Sequence, residues 1–457
     1  MRLVRYFNAL VLYPLSEKLQ GRAISSKLAN LRRESLLPYR EAKRLALNRL
    51  REVLRRAGTS VPYYRDLFRA KGFKPDRVIN EPGCLESLPF LTKEIIREQG
   101  DRLLDQEAVP HLLHVRKTGG STGPSAVIRY SQDALDWTAA VNRLVLEWAG
   151  KRPCDRELHF SSLLPVPTPR WDEWKECIKC AALNRTNLHC SAWDEDNLED
   201  AWRQLHRSRP FLVHGYPSIL HALALYVRRH DLPAQGVFRV FESTGEALDA
   251  RKRRTIEEVF ACRVVNRYGG TEFGVVAYET PDSGSNKLKL LDGIVWTETL
   301  RGSAPVPELV FTSLRNEAMP LIRYRIGDLG ELEETDSGLY LKNLIGRVHD
   351  VVCIDGKTYP THFIQDILGG VEGIDEFQFE RRGGQLVLRL VVPDVHARAG
   401  IEQKLRCSWT ESLPIEFISW ADLKRHGWRA KFRYLVDEVD ETDGQDDLYE
   451  DHGRFVA

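Results

Sequence analysis

Between residues 127 and 345, short β-branched runs alternate with helical stretches. Phe211-Leu212-Val213 leads into a helix from Ser218, Val237 to Phe241 leads into one from Asp249, and Arg263-Val264-Val265-Asn266 leads into Tyr268. That alternation predicts α/β layering, with the functional loops at the sheet edges. After Gly346 the texture changes. Phe377-Gln378-Phe379 and Leu386 to Leu390 flank Gly383-Gly384 as a hairpin, and a helix from His396 to Cys407 and a strand at Ile415-Glu416-Phe417 come after it. The expected fold class is therefore α/β: a large N-terminal domain of layered β-sheets and helices (1–345, with a helical region over 1–60), then a small α+β C-terminal domain (346–436). Residues 437–457 read as an acidic, solvated tail.

A chain of 457 residues is long enough for a sizeable core. Its 42% hydrophobic and 29% charged residues, with 10 Trp and 17 Phe, are those of a globular protein rather than a disordered one. The formal net charge is +1, which gives no reason to expect nucleic acid or an anionic membrane as partner. From Arg22 to Arg56 a stripe of Leu28, Leu31, Leu45, Leu47, Leu50 and Leu54 lies among many basic residues, the pattern of amphipathic helices with a solvated basic face. The apolar stretch Tyr6 to Leu15 is interrupted by Asn8 and Pro14 and is too short to span a bilayer, and it has no secretory cleavage pattern after it. The 8 cysteines are mostly scattered, which fits reduced thiols and a cytoplasmic location.

Thr118-Gly119-Gly120-Ser121-Thr122-Gly123-Pro124 packs glycines and hydroxyls into one short loop. Glycine lets successive N–H groups converge on an anion and the hydroxyls add donors, so the segment can cradle phosphate. An ordinary turn has the same composition, and only companion segments downstream separate the two readings. Ser243-Thr244-Gly245-Glu246 comes after a strand and opens a helix, where Glu246 would face the dipole or Gly245 would present backbone groups to a ligand. In Tyr268-Gly269-Gly270-Thr271-Glu272 the ring offers a stacking platform for a base and the carboxylate a ligand for the Mg²⁺ that accompanies a nucleotide. Asp328, at the end of Arg323-Tyr324-Arg325-Ile326-Gly327-Asp328, could accept hydrogen bonds from both ribose hydroxyls, or close a strand-end turn with surface ion pairs. Gly346-Arg347-Val348-His349-Asp350 sits at the composition change, and Lys431 stands late in the chain.

In this order the segments from about Pro62 to Arg433 resemble the adenylate-forming superfamily of acyl-CoA synthetases, in its phenylacetate–CoA ligase-like and capsule-locus ligase-like branch. The resemblance implies that a carboxylate attacks the α-phosphate of ATP, releasing pyrophosphate, and that the acyl-adenylate then meets a thiol, CoA by default. It also implies roles. Lys431 would bridge carboxylate and α-phosphate, Glu272 would hold Mg²⁺ beside Thr271, and Thr118, Gly119, Gly120, Ser121, Thr122 and Gly123 would steady the β- and γ-phosphates. Tyr268 beside Gly269 would stack on adenine near Gly245 and Glu246, and Asp328 and Arg347 would hold the ribose. The small domain carrying Lys431 would then be mobile, swinging about a hinge at Gly346-Arg347, and the enzyme could be a homodimer.

The chain departs from the family pattern at two places. Gly123 runs directly into Pro124 where relatives carry a lysine, leaving Arg116 or Lys117 as substitutes, and His349 stands where the hinge usually has Asp or Lys. Cys177, Cys180, His189 and Cys190 could form a zinc site, or a buried thiol face on an amphipathic helix from Trp171 to Leu183. Trp171, Trp174, His214 and Tyr216 lie where an acid pocket would form, or pack in the core. An amide-forming ligase with an amine acceptor shares every residue named, and a degenerate nucleotide-binding protein would not need both Glu272 and Lys431.

Overall fold

The computed structural model describes residues 2–118, 125–161, 170–189, 193–284, 287–302, 306–347, 351–354, 357–408, 413–426 and 431–437. The glycine loop 119–124, Cys190, the hinge residues 348–350 and the acidic tail beyond residue 437 lie outside them, as does the Arg347 side chain. The chain divides into two compact units: residues 1–9, 153–266 and 346–451 form one, and 10–152, 267–345 and 452–457 the other.

In the first unit, four parallel strands run in the order Val240–Thr244, Leu212–Gly215, Glu157–Ser161, Arg185–His189. One face is apolar. Leu158, Phe160, Val213 and Phe241 pack there into a core with residues of helices Glu195–Ser208, Pro217–Arg229 and Ala250–Phe260. Each helix begins with a sequence signal: Asp194 and Asp249 accept backbone N–H bonds from Asn197 and Lys252, and Pro217 occupies a first position that needs no donor. The hairpin expected at Gly383-Gly384 is present, joining Glu376–Arg382 to Gln385–Val391. Ile415–Ile418 and Leu435–Asp437 add to its two edges in parallel, and a second core forms beneath around Phe377, Phe379, Leu388 and Leu390. The helix expected from His396 starts as a 3₁₀ turn, Val395–Ala397, and continues as Arg398–Ser408.

In the second unit, antiparallel strands run in the order Val295–Leu300, Glu308–Ser313, Tyr324–Thr335, Gly338–Arg347, Leu288–Leu290, Gly274–Tyr278, the last pairing with the end of Arg263–Gly270. The leucine stripe forms two helices, Ile24–Ser35 and Tyr39–Ser60. Leu28, Leu31, Leu50 and Leu54 are buried, and Ala46, Val53 and Ala57 complete the buried face in place of Leu45 and Leu47. A hairpin of His114–Lys117 and Val127–Tyr130 brackets the glycine loop. No helix among the described residues is long and apolar enough to cross a membrane.

Candidate active site

The hairpin closes between the residues that flank the glycine loop in sequence. The Thr118 amide donates to the Ala126 carbonyl at 2.9 Å, and the Ala126 amide donates to Thr118 Oγ1 at 2.9 Å. Both residues are buried. Of its two candidate substitute cations, Arg116 lies over the Tyr130 ring, 5.3 Å from the centroid.

Tyr268 and Glu272 belong to the edge where Arg263–Gly270 turns into Gly274–Tyr278. The pairing slips between Tyr268 and Gly269, and a side chain at Gly269 would start 2.1 Å from the Gly274 carbonyl oxygen, so the turn demands a bare backbone. Tyr268 donates from its hydroxyl to Asp328 Oδ2 at 2.8 Å, which brings two of the expected site residues together. Tyr324 donates to Glu272 Oε1 at 3.2 Å, and Tyr130 donates to the Thr271 carbonyl at 2.5 Å. Tyr324 is itself fixed by a bridge to Leu91 and by the Phe273 ring, 6.0 Å away between centroids.

Glu272 is buried, and among the described residues it has no ion-pair partner. Its Oε2 lies 2.9 Å from the point where a side chain at Gly270 would begin. A buried carboxylate with one oxygen committed to a hydroxyl and the other beside bare backbone fits a hard cation such as Mg²⁺. Arg323 and Arg325, by contrast, serve the fold. Arg323 adopts φ 53°, bonds Glu298 at 3.1 Å and the Leu88 carbonyl at 2.5 Å, and covers the Phe90 ring, while Arg325 grips Glu308 with both ends of its guanidinium. The turn with surface ion pairs is thereby corrected: Tyr324–Thr335 is a strand, and the Arg323 pair is buried.

In the first unit Lys431 begins a two-residue strand, Lys431–Phe432, paired with Arg425–His426. Its Nζ lies 5.9 Å from the Tyr216 ring centroid. At Gly245, φ is 77°, and a side-chain carbon there would fall 2.6 Å from the Tyr216 ring and 3.6 Å from Lys431 Nζ. Glycine is thus needed twice over, for its backbone angle and for the approach of the Tyr216 ring. Glu246 does not open the next helix, which starts at Ala250 under the Asp249 cap. It accepts instead from the Ser218 amide at 3.3 Å, in the first turn of Pro217–Arg229, and from the Phe432 amide at 2.7 Å. Burial raises the Glu246 carboxyl pKa, against those hydrogen bonds and the charge of Lys252.

Below it, buried Lys252 bonds Glu376 at 2.9 Å and the Tyr434 hydroxyl, which in turn donates to Asp249 at 3.1 Å. Burial works to raise the Asp249 carboxyl, but the charge and amide of Lys252 together with Arg251 and His221 bring the net shift downward. These contacts seat Lys431 beside Gly245.

Sequence reasoning missed Tyr130 and Tyr324 as the groups that hold Thr271 and Glu272. Tyr324 lies inside the Arg-Tyr-x-x-Gly-Asp segment, whereas nothing local marks Tyr130. On the helix Arg170–Ala182, Trp174 is exposed, and no cluster of three metal-ligating side chains occurs among the described residues.

No family model matches the chain. In sequence it is similar to protein CapK of Staphylococcus aureus, 25% identical over 276 residues that span 58% of this chain and 59% of CapK. The chain thus spans less than two thirds of that relative. Phenylacetate-coenzyme A ligase of Pseudomonas putida is 28% identical over 349 residues, 70% of this chain and 74% of the ligase. Among solved structures, 2-hydroxyisobutyryl-CoA ligase in its postadenylation state, in complex with R3-HIB-AMP, has the same fold, with a TM-score of 0.70 at 19% identity over 89% of this chain and 92% of that one. The chain is thus similar in sequence to phenylacetate-coenzyme A ligases and CapK, and in fold to 2-hydroxyisobutyryl-CoA ligase.

Proposed function

We propose that the protein is an ATP-dependent ligase that adenylates a small carboxylic acid, releases pyrophosphate, and passes the acyl group to CoA. The observation that carries this reading is the seat of Lys431: its amine is brought beside Gly245 and Tyr216 by a chain segment that bonds Glu246 through the Phe432 amide. A nucleotide-binding protein without chemistry has no need of that cation.

In the first step a carboxylate oxygen attacks the α-phosphorus and the bond to the bridging oxygen of pyrophosphate breaks. Two anions must meet, so the site needs positive charge and N–H donors aimed at the developing charge. Lys431 neutralises the acid and the α-phosphate. Thr118 and the glycine loop that it anchors steady the β- and γ-phosphates. Glu272 would hold Mg²⁺, which shields the phosphate charge when bound. Tyr268 lends its ring to adenine, and Asp328 takes the ribose, with Arg347 as its partner in that role. In the second step the CoA thiolate attacks the acyl carbonyl and AMP leaves. For that step Lys431 has to withdraw, and the small C-terminal module, pivoting near Gly346, supplies the motion.

The test is pyrophosphate release dependent on added acid, over aryl, aliphatic and amino acids, with CoA, amines and amino acids as acceptors. Lys431→Ala should lower adenylation about 10²–10³-fold while largely sparing thioester formation from a preformed acyl-adenylate. Equal loss of both half-reactions would refute the role of the lysine, and transfer to an amine with none to CoA would replace the acceptor.

A further inference from the structure

The parallel sheet of the first unit has two unlike faces. Leu158, Phe160, Val213 and Phe241 line the apolar one. On the other, register places His159 opposite His214, and His214 opposite Glu242. His214 Nδ1 bonds Glu242 Oε2 at 2.6 Å, the two imidazoles lie 4.5 Å apart between centroids, and His159 Nε2 stands 3.4 Å from Glu157 Oε1. Beyond them on the same side, Glu176 gathers Arg185 at 3.1 Å and Asn187 at 3.3 Å. The Glu242 side chain is 1% exposed and that of His214 18%. A carboxylate buried to that degree and bonded to an imidazole fixes the ring.

Its position gives the pair a purpose. Ligands of open parallel sheets bind at the carboxyl ends of the strands. His214 lies two residues before Tyr216, and Glu242 three before Gly245, the two residues beside Lys431. Along a strand that is only about 7–10 Å, the length of a small acid whose carboxylate reaches the lysine. With Nδ1 committed to Glu242, the Nε2 of His214 has no hydrogen-bond partner among the described residues. A hydrocarbon tail set against it would leave that nitrogen desolvated and unpaired.

Resting on the ligase reading, we infer that His214 Nε2, oriented by Glu242, receives a hydrogen-bonding group on the tail of the acid. The substrate class is then a hydroxy- or amino-substituted carboxylic acid, rather than an unsubstituted aryl or alkyl one.

The experiment uses pairs of acids that differ by one group: 4-hydroxyphenylacetate with phenylacetate, lactate with propionate, and glycine with acetate. Pyrophosphate release from the full chain is measured for each. The polar member of at least one pair should win by tenfold or more in kcat/KM. His214→Phe should erase or reverse that preference with the KM for ATP unchanged, and His214→Gln should retain part of it. Glu242→Gln should raise the KM for the polar acid, with kcat altered less. Turnover that favours the unsubstituted member of every pair, or a preference untouched by His214→Phe, overturns the inference and leaves the ligase reading standing. No release with any acid would sink the ligase reading itself, and this inference with it.

Discussion

The two groups of site residues are fastened in opposite ways. Tyr268 and Asp328 are held in strands of a broad antiparallel sheet and Glu272 in the turn between two of them, steadied by the neighbouring Phe273 and, from distant parts of the chain, by Tyr324 and its bridge to Leu91. Lys431 stands in a strand of two residues, and its seat combines polar bonds, Phe432 to Glu246, Tyr434 to Asp249 and Lys252 to Glu376, with the packing of the buried Phe432 ring against Trp193. The first arrangement suits groups that must meet developing charge without reorganising.

That contrast can be broken experimentally. Glu272→Gln should have the largest effect, lowering acid-dependent pyrophosphate release about 10²-fold with little change in thermal stability. A loss of folding instead would make Glu272 a structural carboxylate. Next, Gly245→Ala forces a side chain onto a backbone at φ 77° and against the Tyr216 ring. Thermal unfolding should report a loss of about 1–3 kcal/mol, along with slower adenylation. Unchanged activity would remove Lys431 from that position.

The smallest effect concerns pH. Burial, reinforced by His214, holds His159 down to about 4 from its ordinary value near 6.5. A base with a depressed folded-state pKa contributes stability that is present above pH 6.5 and lost as the pH falls towards 4, because the unfolded chain binds the extra proton. His159→Gln should therefore flatten the fall in stability across that window, by roughly 2 kcal/mol, as read by denaturant melts at pH 7 and 4.5. An unaltered slope would mean that His159 is already open to water.

Much of this organisation is legible in the chain. The Gly383-Gly384 hairpin, the helices starting near Ser218 and Asp249, and the grouping of Tyr268 with Asp328 all come from local pattern and motif order. The part that was not legible depends on partners far away in sequence. Glu246 reads as the start of its own helix because a carboxylate after a strand often is one, yet its acceptors serve Ser218 and Phe432. Arg323 reads as surface charge because nothing local announces Glu298 or Phe90, whereas Arg325 does lie exposed beside Glu308. Tyr130 reaches Thr271 across 141 positions of chain, and short-range periodicity carries no trace of such a contact.

The slipped pairing at Tyr268 also has a consequence for how the sequence can drift. At Gly383 and Gly384 a side chain would point into open space, so those positions can vary at the cost of a turn preference. At Gly269 any substituent strikes the neighbouring backbone, and at Gly270 it would sit on the carboxylate of Glu272. A saturation library should therefore show partly thinned columns at the hairpin, where φ is 55° and 82°, and two nearly empty ones at 269 and 270, the second emptied by lost activity before lost expression.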